Sequence, residues 1–66
     1  MLLDKKKVVR KMEEKAATAR GIALEHDIAY NAVLNARNGR PVKAATVQKL
    51  CKALGCEPID LLPDEE

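Results

Sequence analysis

Aromatic side chains are almost missing from this sequence. Its 66 residues include no Phe, no Trp and one tyrosine, Tyr30. A core cannot form around large rings, so it must come from Leu, Val, Ile, Ala, Met and Cys. Alternation of β-branched and aromatic residues never runs for more than a few positions, which argues against a sheet. No uninterrupted apolar run exceeds three residues, too short for a membrane-spanning helix or a signal-peptide core. Cysteine is scarce too. Cys51 and Cys56 allow one bridge at most, and they read as buried thiols of a soluble cytoplasmic protein rather than a disulfide framework. Gly21, Gly39 and Gly55 stand alone, so there is no glycine-rich phosphate loop.

One sign of charge is absent from a whole region. Between Ile28 and Cys56 there is no Asp or Glu, yet Arg37, Arg40, Lys43, Lys49 and Lys52 all fall there. Residues 1–56 hold all 12 basic side chains and only 5 of the 10 acidic ones. The formal net charge of +2 hides this asymmetry. A positive body with an acidic end suits a polyanionic partner.

What the chain does have is helix-forming sequence. Ten alanines favour helices that approach closely. Asp4 can cap a first helix running to about Lys15 or Ala16, with Val8, Met12 and Ala16 on one stripe and Val9 beside it. Its Lys, Arg and Glu residues read as a solvated face. Thr18 caps a second helix, "ARGIALEH", whose inward residues are Ala19, Ile22 and Ala23; Gly21 within it costs about 1 kcal/mol relative to Ala. A third helix, Tyr30 to Arg37, buries Val33 and Ala36 and stops at Asn38-Gly39, with Pro41 beyond. The fourth, Ala44 to Leu54, carries the clearest amphipathic pattern in Val47, Leu50, Cys51 and Leu54, and Gly55 ends it. Pro58 and Asp60 open a short fifth helix with Ile59, Leu61 and Leu62 on its apolar side. The expectation is a single all-α domain of five short helices, structured over about 4–62, with residues 63–66 as a frayed acidic tail.

These elements resemble the Cro/repressor-type (XRE, lambda-repressor-like) helix-turn-helix family. The stretch "TVQKLCKALGCEPIDLL" is similar to that family's fourth helix, its Ala-Leu-Gly close and its Pro-x-Asp-Leu-Leu fifth helix. Upstream, "T-x-x-x-I-A-x-x-x-D-I-A-Y-N-A-V-L-N-A-R-N-G" keeps the family's spacing. The resemblance covers about Val8 to Leu62. This chain departs from the family in having Asp27 where a turn glycine is usual, Ala29 where Ser or Thr caps the third helix, Ala19 for a phosphate-contacting Gln, and Arg37 for a Glu.

The resemblance implies a lambda-repressor-like domain whose second and third helices bind double-stranded DNA. With Val33 and Ala36 inward, the third helix displays Tyr30, Asn31, Leu34 and Asn35, the expected base contacts. Asparagine can bond adenine N6 and N7 together; Tyr30 can meet a thymine methyl with its ring or a phosphate through its hydroxyl, and Leu34 can meet a thymine methyl. An acid here would repel the flanking phosphates, which accounts for the missing Asp and Glu. Thr18, Arg37, Asn38, Arg40 and Lys43 are the expected phosphate contacts.

No nucleophile–base pair and no paired carboxylates on a concave scaffold point to an enzyme. Cys51, Cys56 and His26 do not offer four convergent ligands for zinc, and His26 reads as a surface or half-buried residue. No cofactor or small-molecule ligand is implied. The expected function is a sequence-specific transcriptional regulator, a repressor, working as a homodimer on a palindromic operator. Ile59, Leu61 and Leu62 are the candidate self-contact, or else they only close the core. The alternative is a protein-interaction or antitoxin-like module on the same fold.

Overall fold

Asp4 starts the first helix as its position predicts: its carboxylate accepts from the backbone N–H of Lys6 at 2.9 Å and of Lys7 at 3.3 Å. In the computed structural model, which describes residues 1–64, α1 spans Lys5–Glu14 and buries Val8 and Met12. The helix α2 spans Ala19–His26, α3 Tyr30–Arg37 and α4 Ala44–Leu54. A 3-10 turn at Pro58–Asp60 follows. Among the described residues the fold is all-α, as expected, but with four α-helices rather than five.

The fifth element stays a single turn for a local reason. The Glu57 N–H donates to the Asp60 carboxylate at 2.9 Å, closing the turn. Leu61 must then drop straight into the core, where it is fully buried. Pro63, lacking an N–H, cannot extend a helix beyond it. A second difference lies at the end of α1. Ala16 takes a left-handed conformation (φ 52°) and is exposed, so it leaves the stripe that Val8 and Met12 begin.

All four helices end alike. Ala16, Asp27, Gly39 and Gly55 are the left-handed residues. Each is followed by an N–H that reaches back five residues: Ala17 to Met12 at 2.8 Å, Ile28 to Ala23 at 3.2 Å, Arg40 to Asn35 at 2.8 Å and Cys56 to Cys51 at 3.0 Å. This is the Schellman pattern, which satisfies carbonyls that a helix end leaves open. At the end of α3 only Gly39 is left-handed; Asn38 keeps φ −95°.

Val8, Val33, Val47, Leu50, Leu54 and Leu61 form the driest part of the core. α3 packs on α1, α2 and α4, and α2 also packs on α4. The N-terminal segment is tied in as well. Leu3 is buried, the Val42 N–H donates to the Met1 carbonyl at 2.8 Å, and the Asp4 N–H donates to the Leu61 carbonyl at 2.8 Å. Of the expected acidic tail, Asp64 is held by Lys7, whose Nζ lies 2.6 Å from its carboxylate and 2.8 Å from the Leu62 carbonyl. That contact holds Asp64 below the usual carboxylate range. Glu65 and Glu66 lie outside the described residues.

Candidate nucleic-acid interface

The candidate interface centres on α3. A turn of about 100° per residue sets Val33 and Ala36 on one side, and both are buried. Tyr30 and Asn31 are exposed on the other side, with Leu34 and Asn35 half-buried. The four expected base-contacting residues therefore share one uncovered flank. Leu34 also packs against the core, so it is anchored at its base. The departures from the family pattern are legible in the coordinates. Asp27 does adopt the left-handed turn (φ 53°, ψ 49°), with the Lys49 ammonium donating to its carbonyl at 3.3 Å. Ile28 behind it is buried and fixes the corner between α2 and α3. Ala29 gives α3 no side-chain cap.

The expected phosphate contacts fall in two groups. Thr18 caps α2 through its hydroxyl, which accepts from the Gly21 N–H at 3.0 Å. Thr18, Ala19 and Arg37 line one shallow groove where the end of α1 meets α2 and α3, with Glu13 on its α1 wall. Asn38, Arg40 and Lys43 form the second group, along the loop after α3, and all three are exposed. The Arg40 backbone is pinned to Asn35, and Val42 to Met1, so this basic loop is braced at two points. Among the described residues, Arg37, Arg40 and Lys43 have no carboxylate within ion-pair distance. Their charge is not spent within the domain.

Arg20 belongs to this surface, although spacing alone does not single it out. It is exposed in the first turn of α2, and its guanidinium carbon lies 5.9 Å from the Tyr30 ring centroid. Ten positions separate the two residues, and only the helix-turn-helix corner brings them together. A basic residue in the first turn of a second helix was the available signal.

The remaining candidates fall elsewhere. Leu61 is fully buried and closes the core, so it is not free for self-contact. Ile59 is 71% exposed, and Leu62 is half-buried beside Lys7, Pro63 and Asp64. Cys51 is buried and Cys56 half-buried, both as free thiols. Burial, then the neighbouring Cys56, pushes the Cys51 thiol up to about 12; burial also raises Cys56. Such thiols carry little thiolate at neutral pH. His26 sits 4.0 Å from the Glu25 carboxylate. No three His, Cys, Asp or Glu side chains converge to hold a metal among the described residues.

A short α2, a left-handed corner at Asp27 and an α3 with an open polar flank define a helix-turn-helix DNA-binding domain. The chain belongs to the Cro/C1-type HTH DNA-binding domain family, whose model matches residues 7–66. No curated protein and no solved structure matches it. No helix among the described residues is long and apolar enough to cross a membrane.

Proposed function

We propose that this domain is a sequence-specific transcriptional regulator that reads the major groove with α3 and represses by occupying its operator in the cytoplasm. One observation carries the reading: the flank of α3 opposite Val33 and Ala36 presents Tyr30, Asn31, Leu34 and Asn35 with no acid on the helix. Asn31 and Asn35 supply paired donors and acceptors for adenine, and Tyr30 and Leu34 supply apolar contact to thymine methyls. Thr18, Arg37, Asn38, Arg40 and Lys43 hold the phosphates on either side and set the register without reading sequence. A domain this small makes few base contacts, so tight specific binding calls for two copies on a palindrome with half-sites about one helical turn apart. Ile59 and the rim of Leu62 are the apolar contact offered to that second copy.

Selection of bound duplexes from a random pool, followed by salt titration of the winner, tests the reading. A recurring palindrome whose affinity falls steeply with salt is the expected result. Sedimentation across concentration then reads the dimer. No salt-dependent retention on any duplex would overturn the reading in favour of a protein-interaction module.

A further inference from the structure

We propose that Arg20 is a positioning residue for sequence reading: it stacks on Tyr30 and fixes how the first side chain of α3 meets DNA. The inference rests on the DNA-reading function above and goes beyond it to a residue of α2. Three observations carry it. The Arg20 guanidinium carbon lies over the Tyr30 ring, 5.9 Å from its centroid, within cation–π range. Tyr30 is 45% exposed, no hydrogen bond holds its hydroxyl among the described residues, and Ala29 gives no side-chain cap to steady this turn. Arg20 in turn has no carboxylate within ion-pair distance among the described residues. Each side chain is therefore the partner that orders the other.

The chemistry suits the place. A cation–π contact uses no lone-pair acceptor, so the N–H donors along the guanidinium rim that do not face the ring stay free. Arg20 stands in the first turn of α2, the helix that crosses the backbone in this motif, beside the start of α3, which enters the groove. A tyrosine already ordered in the free protein loses less conformational freedom on binding, so its contact discriminates more sharply between base pairs. The acceptor that the Arg20 rim meets is a backbone phosphate next to the base pair that Tyr30 touches.

The single tyrosine makes the test direct, because with no Phe or Trp all aromatic fluorescence comes from Tyr30, and its ring protons share the spectrum only with those of His26. In the free protein, the Arg20 Nε–H resonance should lie upfield of the other arginines and lose that shift in Tyr30→Leu, while Tyr30→Phe keeps it. Tyr30 fluorescence anisotropy should fall in Arg20→Ala. With the duplex selected by the wild type, Arg20→Ala should weaken binding about two- to fivefold and relax preference at the same base pair as Tyr30→Leu. The double variant should cost less than the sum of the two. Arg20→Lys should recover only part of the loss. Equal weakening on every sequence, with the salt slope reduced by about one and Tyr30 anisotropy unchanged, would make Arg20 a phosphate contact alone and overturn the proposal. A wild type that binds no duplex removes the DNA reading, and the proposal with it. A wild type that binds while Arg20→Ala leaves its preference intact removes the proposal alone.

Discussion

α3 and α4 begin and end in the same way, yet they carry opposite loads. Neither has a side-chain N-cap, and each stops at a left-handed glycine with the same backward hydrogen bond. α4 turns Val47, Leu50, Cys51 and Leu54 into the core. α3 turns in only Val33 and Ala36, and leaves Tyr30, Asn31, Leu34 and Asn35 partly or largely uncovered. Helices this short are marginal alone, so packing holds each in place. α4 supplies that packing and α3 uses it. The open flank of α3 can be chosen for recognition because its stability is supplied from behind.

The comparison breaks most sharply in the middle of α4. Leu50 is fully buried, and Leu50→Ala leaves a void in a close-packed aliphatic core. The expected loss is about 2–5 kcal/mol, read by urea denaturation. For a domain of this size that is a large share of the whole stability, so the variant should be largely unfolded at 37 °C. Leu34→Ala on α3, half-buried, should cost clearly less. Equal losses at the two positions would mean that α3 is as much a core helix as α4.

On α3 the reverse holds. Asn31→Ala and Asn35→Ala should each remove about 1–3 kcal/mol of discrimination at one base pair, seen by competition between the selected duplex and its single-base variants. Asn31 is exposed, so the unfolding free energy of Asn31→Ala should stay within about 0.5 kcal/mol of the wild type, as surface substitutions do. A large stability loss with unchanged discrimination would place these amides in the scaffold.

Much of this division can be read from the sequence because punctuation is clear where it matters. Thr18, Asn38-Gly39 and Gly55 bracket three helices, and the Val47 to Leu54 pattern admits one buried face. α1 was less legible. Val8 and Met12 extend naturally to Ala16, and nothing in an alanine signals that it takes φ 52° to end the helix. The last element also misleads, since Ile59, Leu61 and Leu62 look like one apolar side. A single turn splits them, sending Leu61 into the core and Ile59 into solvent. The approach of Arg20 to the Tyr30 ring has no periodic trace, because it depends on the angle between two helices. Which residues share the open flank of α3 is legible; which bases they meet is a matter for the selected duplex.

A cap separates the two helix starts. Ala29→Ser should give α3 the side-chain acceptor it lacks and stabilise the domain by about 1 kcal/mol. Lys43→Ser should do as much for α4, but it removes a base from the loop proposed to hold phosphate. DNA affinity at fixed salt should therefore be kept in the first variant and lowered in the second. If both variants lose affinity alike, the start of α3 itself must yield on binding, and the picture of a rigid reading helix fails.

The smallest expected effect lies at the helix ends, where α1 and α2 differ from α3 and α4. Gly39 and Gly55 take the left-handed conformation without a Cβ penalty, whereas Ala16 and Asp27 do not. Ala16 is exposed and has no polar side chain to offset the strain. Ala16→Gly should then stabilise by about 0.5–1 kcal/mol, the relief of strain exceeding the added freedom of the unfolded chain. Asp27→Gly should gain less, because aspartate tolerates this region better than alanine. The order of the two gains is the informative result. If Asp27→Gly gives the larger gain, the corner between α2 and α3 is the more strained of the two turns. Its conformation would then be imposed by the packing of Ile28 and the Lys49 contact rather than accepted by the residue itself.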